Sequence, residues 1–360
     1  MANSVSQKSG RLVALDYMRG YFVIVIILDH LWRYPSAFSL VTGEASLWVT
    51  AAEGFVIISG FLIGYIRGFK GLKLSFLTVA LKLISRAAVL YLSMIAASLL
   101  YIYIEWSDKV PSMPYTPIGT ETKRNWNIVL EQTINLSHPH TWVHFLALYT
   151  IFLLASVIMV GLLRRRMPWL VGGLTILLYI FGQITEIEWL KWQIIFFVPS
   201  IAGFYFESIK KWWKTLLSEQ KQTWNILLYV AGCSTLVTSI AFINFHSLLP
   251  TSISEPIAQL FAIESFSPAR VILALLWFVM FAMLFSRFSA AIPRSTHGVL
   301  AYIGTHSLSA YLVHGLIICA INFFLPPSSG ILANTLYGII AVAAVTLFIR
   351  LPVMRSLLPR

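Results

Sequence analysis

"LDYMRGYFVIVIILDHLW", residues 15–32, is apolar over a length that crosses a bilayer as a helix, yet it carries Asp16, Arg19, Asp29 and His30. Each of these side chains is costly in hydrocarbon, so the segment cannot turn them all toward lipid. A helix advances about 100° per residue, which puts Arg19 and His30 on one face, roughly 16 Å apart along the axis. Asp16 falls on that side as well, whereas Asp29 points about 100° away from His30. The run therefore predicts a membrane helix whose polar stripe faces a cavity or polar partners inside a bundle.

The rest of the chain agrees with that class. Of 360 residues 58% are hydrophobic and 11% charged, where a soluble domain carries about 25% charged residues. Apolar runs at 12–32, 47–66, 83–104, 142–163, 169–185, 192–206, 224–243, 268–287, 298–323 and 332–350 predict ten transmembrane helices. The expected fold is an all-α integral membrane protein, about ten helices in one bundle. The net charge of +12 needs no nucleic acid, because no nucleic-acid motif accompanies it. Instead, "RGFKGLK" at 67–73, "RRR" at 164–166, "KKWWK" at 210–214, Arg287, Arg294, Arg350, Arg355 and Arg360 collect on one side of the ten spans. That bias predicts both termini in the cytoplasm, with tails 1–11 and 351–360 flanking a membrane domain over 12–350. The first apolar stretch has no small-residue cleavage site, so it is expected to be a retained span rather than a signal peptide. Cys233 and Cys319 lie in apolar runs and are expected to be buried hydrophobes without a disulfide.

In the second span, "TAAEGFVIISGFLIGY" at 50–65, Glu53 falls at a depth similar to His30 if the helix returns inward. A buried carboxylate there can orient an imidazole, or it can be neutral and hydrogen-bonded. Ser59, Gly60 and Gly64 are small residues at a spacing that permits close helix contact. "HPHTWVHF" at 138–145 gives His138, His140 and His144 at a membrane entrance; no cysteine or carboxylate completes a metal set, so no metal is expected. Trp142 reads as an aromatic-belt residue, and Trp192, Trp212 and Trp213 as interface anchors. His314 shares a helix face with His306 and either lines a cavity or packs. "ESIKKWWKTLLSEQK" at 207–221 is amphipathic and basic and is expected to lie on the inner leaflet.

Five stretches in order resemble one family: "RGYFVIVIILDH", "AAEGFVIISGFLIGY", "FLALYTIFLL" at 145–154, "WQIIFFVPSIAGFYF" at 192–206 and "LAYIGTHSLSAYLVHGLI" at 300–317. They are similar to the OpgC branch of the membrane acyltransferase-3 superfamily. The chain departs from the pattern at "KLISRAAVLY", which offers Lys82 and Arg86 where the superfamily often has paired arginines. Ser93 also follows where OpgC-like chains often have a histidine. The resemblance implies a membrane O-acyltransferase of the bacterial inner membrane. It would move an acyl group, acetyl or succinyl in class, from cytoplasmic acyl-CoA to a hydroxyl of an extracytoplasmic glycan. The branch is associated with succinyl decoration of osmoregulated periplasmic glucans, although relatives use other acyl groups and acceptors.

On that reading His30 is the general base, with Glu53, or failing it Asp29, orienting the ring. Arg19, Lys82 and Arg86 would hold the coenzyme A phosphates. Ser59, His144 and His314 are candidates for substrate contact, Ser59 as an oxyanion hydroxyl. The Arg19–His30 separation is comparable to an extended pantetheine arm. A covalent acyl-histidine route fits the same residues. Acyl-CoA is then a donor substrate and no cofactor is permanently bound; the glycan and the lipid bilayer are the other partners, and a homo-oligomer is possible. The competing class is a transporter or flippase using buried Asp, Arg and His as a proton relay.

Overall fold

The computed structural model describes residues 12–107, 124–296 and 298–357. The expected tail 1–11, the last three residues of the expected tail 351–360, and "PSMPYTP" at 111–117 lie outside the described residues. Among the described residues the regular structure is entirely helical. Eleven principal helices follow the ten apolar runs: α1 (Val13–Leu31), α2 (Ala51–Leu62), α3 (Phe76–Trp106), α4 (His144–Arg164), α5 (Pro168–Thr185), α6 (Ile194–Phe204), α7 (Ser218–Phe245), α8 (Pro268–Arg287), α9 (Val299–Thr305), α10 (Ser307–Phe324) and α11 (Ile331–Phe348).

Among the described residues, eight helical stretches are each long and apolar enough to cross a membrane. They are α2 with its continuation to Lys73, α3, α4, α5, α7, α8, α10 and α11. The protein is thus a multi-pass membrane protein. With 19 residues α1 is long enough to span, but Asp16, Arg19 and Asp29 make it more polar than the others. The stretch Glu188–Phe204, which contains α6, bends by 63° into Phe206–Thr215. The run at 298–323, expected as one helix, is broken at His306, whose backbone (φ −118, ψ 32) leaves the helical region. Its imidazole Nδ1 lies 3.0 Å from the Tyr302 carbonyl, and its ring stacks on Tyr302.

Helix α1 is the hub, packed by α2, α8, α9, α10 and α11. Such a helix meets little lipid, which is what its polar stripe requires. Glycines set the closest approaches. A Cβ on Gly20 would lie 2.1 Å from the Leu300 carbonyl oxygen, and one on Gly304 1.8 Å from that of Asp16, so α1 and α9 touch backbone to backbone. Gly60 and Gly64 meet the α6 carbonyls of Phe196 and Ser200 in the same way, as their spacing predicts. By contrast α7 buries only Gly232 and Ser239. Both cysteines are free; Cys319 is buried, but Cys233, expected inside, is exposed on α7. Trp192 is also not at an interface: it is buried and stacked on Phe266.

Candidate active site

The last turn of α1 presents His30 to His314 of α10, with His30 Nδ1 2.7 Å from His314 Nε2. The second nitrogen of His314 decides how that bond is protonated. Nδ1 of His314 is bonded to the Tyr311 carbonyl, which only accepts, so Nδ1 carries hydrogen. In a neutral His314, Nε2 is then an acceptor, and His30 Nδ1 must be the donor. A neutral His30 is left with its lone pair on Nε2. This tautomer follows from the hydrogen bonds alone. His314 is fully buried, whereas His30 is only half-buried and keeps an open side.

The walls come from α3, α10 and the short turn before α4. Trp142, expected in the aromatic belt, is 1% exposed and stacks near His30, with ring planes 21° apart and centroids at 6.4 Å. Belt residues keep one edge in water, and here the indole is instead enclosed by Tyr101, His140, His30 and His314. Gly315 makes this possible, because a Cβ there would meet the Tyr101 ring at 2.5 Å and Trp142 Cε3 at 2.9 Å. The Tyr101 hydroxyl donates to the Leu312 carbonyl. His140, also buried, accepts the Trp142 backbone N–H on Nδ1 at 3.2 Å. Burial, reinforced by nearby His314, holds the His140 pKa down at about 3, so this ring stays neutral. Among the described residues no group of three or more His, Cys, Asp or Glu could hold a metal ion.

The two carboxylates expected beside His30 are elsewhere. Glu53, fully buried, accepts from Arg270 of α8 at 2.5 Å on Oε1. Its Oε2 takes the Thr50 backbone N–H at 2.8 Å and the Thr50 hydroxyl at 2.6 Å. A carboxylate without water takes the strongest donors in reach, and a guanidinium outranks an imidazole. Arg270 also donates to the Phe261 carbonyl, so the pair ties α2, α8 and the preceding loop together. Asp29 accepts the Tyr34 hydroxyl at 2.7 Å, and that hydroxyl is 3.2 Å from Thr42 Oγ1, anchoring the loop after α1. Its direction around the helix takes it away from His30, as the periodicity implies. Neither acid orients the histidine; His314 does.

Arg19 is half-buried on the face of α1 that also bears His30, with its guanidinium 5.8 Å from the Phe55 ring centroid. Between the two, that face carries Val23 and Ile26, both buried. Phe55 meets Phe145 at 5.5 Å, Phe145 meets Tyr311 at 6.1 Å, and Tyr311 meets His314 at 5.2 Å. A run of ring contacts therefore links the Phe55 ring beside the guanidinium to the histidine pair. Lys82 is exposed and Arg86 half-buried on α3, whose main packing is against α4 rather than α1. Ser59 is buried one turn beyond Phe55, and among the described residues its hydroxyl has no partner. His144 turns outward to Glu188, 2.7 Å away.

Sequence reading had no basis for joining Tyr101, His140 and Trp142 to His30. The available signal was "HPHTW", a polar break with two histidines directly before an apolar run. Compared with known protein families, the chain matches the one described as OpgC protein over residues 11–355. No curated protein and no solved structure matches it.

Proposed function

Because this chain belongs to the OpgC protein family, we propose that it is a membrane acyltransferase acting in glucan modification. It moves an acyl group of the acetyl or succinyl class from cytoplasmic acyl-CoA to a hydroxyl of an extracytoplasmic glycan. Ten spans, both termini in the cytoplasm, one membrane domain over 12–350 and a place in a bacterial inner membrane complete the reading. The observation that carries it is the chain from the Tyr311 carbonyl through His314 to His30, which leaves a lone pair on His30 Nε2.

Nε2 of His30 takes the proton of the acceptor hydroxyl as its oxygen bonds to the thioester carbonyl carbon. The tetrahedral intermediate collapses, the C–S bond breaks, and the coenzyme A thiolate receives the proton back from His30. His314 supports this step twice: it fixes the tautomer before the reaction, and its Nε2 accepts from the imidazolium during it. Arg19 is the candidate for the donor's phosphates, with Lys82 and Arg86 as outlying cations. Acyl-CoA is a co-substrate and not a resident group. Buried Val23 and Ile26 occupy the α1 face between Arg19 and His30, so a pantetheine arm must pass over them to deliver the thioester.

The transporter alternative relied on Asp, Arg and His forming a relay. It loses support because Glu53 and Asp29 are held by Arg270 and Tyr34, away from the histidines. Membranes containing wild type or His30→Ala, incubated with labelled acyl-CoA and a linear glucan, test the proposal. Label should reach the glucan with wild type and not with His30→Ala; equal labelling by both refutes the assigned base.

A further inference from the structure

We infer that the indole N–H of Trp142 is a hydrogen-bond donor to the carbonyl oxygen that becomes an oxyanion during acyl transfer. The inference rests on the acyl-transfer reading above and adds to it a catalytic residue on the opposite wall from α1.

Three observations carry it. Trp142 is 1% exposed, and among the described residues its Nε1–H has no acceptor. A buried donor left unpaired is costly, and in native structures such a group calls for an explanation. The polar groups around the indole ring are bonded to other donors. The Leu312 carbonyl takes the Tyr101 hydroxyl, the Tyr311 carbonyl takes His314, and His140 Nδ1 takes Trp142's own backbone N–H.

The second observation is placement. The indole ring lies 6.4 Å from the His30 ring and 6.3 Å from the His314 ring, centroid to centroid, so it borders the histidine pair. The third is orientation. The Cε3 edge of the indole is wedged against Gly315 of α10. Nε1 lies on the other long edge of the bicycle and so points away from α10. The ring is held on several sides, by Gly315, Tyr101 and His140, which is the rigidity a preorganised donor needs.

In the reaction no atom of Trp142 changes partner covalently. As the hydroxyl oxygen adds to the carbonyl carbon, the C=O electron pair moves onto oxygen, and the N–H bonds to that charge more strongly than to the ground-state carbonyl. Ser59 also keeps a buried hydroxyl without a partner, but it lies on α2 and has no observed contact with either histidine.

The test uses the purified full-length protein with acyl-CoA and glucan, and three variants. Trp142→Phe removes the N–H; replacement by benzothienylalanine, which substitutes sulfur for N–H, also keeps the bicycle. Loss of one oxyanion donor predicts a fall in kcat of about 10²–10³-fold in both, with KM little changed and, in the benzothienyl variant that keeps the bicycle, melting temperature little changed. Wild-type kcat in Trp142→Phe, or full recovery of kcat by the benzothienyl variant, overturns the inference, because ring packing would then be the whole role. His30→Ala runs in parallel. If His30→Ala is inactive while Trp142→Phe is fully active, the oxyanion role alone fails; if His30→Ala turns over normally, the assigned base fails, and if wild type itself transfers no label to glucan, the acyl-transfer reading fails.

Discussion

Glu53 offers the sharpest separation between a catalytic and a structural carboxylate. Its side chain is fully buried, and Arg270, 2% exposed, reaches the same oxygen at 2.5 Å through both Nε and Nη2. Glu53→Met leaves a guanidinium buried without its counter-charge, which costs about 3–5 kcal/mol. That is a large part of the roughly 5–15 kcal/mol by which a folded protein is stable. Replacing both partners, Glu53→Met with Arg270→Met, removes the unpaired charge. What remains is the loss of the capping contact to Thr50, about 1 kcal/mol. The capping loss is common to both variants, so the double variant should be more stable than Glu53→Met by about 3–5 kcal/mol, the cost of the unpaired charge. Thermal unfolding in detergent reads the stability order, and glucan labelling reads activity. The double variant should label glucan at near the wild-type rate. A double variant that melts like wild type yet transfers nothing would return Glu53 to the chemistry and refute the structural assignment.

His314→Leu deprives the His30 Nδ1–H of its acceptor and releases the tautomer, so kcat should fall by about 10²–10⁴-fold, the whole contribution of a positioned general base. His314→Gln supplies an amide oxygen as acceptor and should recover part of that loss; equal rates in Leu and Gln would argue against the tautomer role. His140 gives a pH signature. Its folded pKa of about 3 lies below the unfolded value near 6.5, so the unfolded chain binds more protons between those limits. Stability is then fully present above pH 6.5 and declines on acidification toward pH 3, by at most about 1.4 kcal/mol per unit. Melting temperatures measured from pH 7 to 5 should fall in wild type and fall less in His140→Asn, whose amide oxygen can still accept the Trp142 N–H.

How much of this was legible follows from what periodicity can encode. Helical character along the apolar runs was readable because a bilayer requires length and apolarity in each segment, and both are local properties; the break at His306 was not. The face shared by Arg19 and His30 was readable for the same reason, since eleven residues nearly close three turns. Partner choice was not. Glu53 was expected at the depth of His30, but Gly54 beside it faces Phe22, about two turns short of His30, and nothing local says that Arg270, far along the chain, claims the carboxylate. His314 was marked only as a cavity or packing histidine, and its meeting with His30 depends on how α10 approaches α1. Trp142 was misread because a tryptophan at a membrane entrance has the composition of a belt residue whichever way it points. The basic residues at 210–214, read as surface-lying, fall on a segment with no buried residue that turns 63° from the preceding helix. Amphipathicity is again a local property.

The ionisable residues of α1 and the glycines around it belong to one physical problem. Burying polar groups in a membrane requires that other helices, not lipid, cover the segment on all sides, and five helices do so here. Covering one helix so fully needs at least one neighbour at backbone distance, which Gly20 and Gly304 permit on the α9 side. A straight helix continuing from α9 would have to keep that line for its whole length. The break at His306 frees α10 to take its own, and α10 carries His314 to 2.7 Å from His30 while Gly315 admits Tyr101 and Trp142 beside it. The paired imidazoles are thus a consequence of the crossing and the break together. A larger residue at Gly20, Gly304 or Gly315 should disturb the histidine pair before it touches either ring.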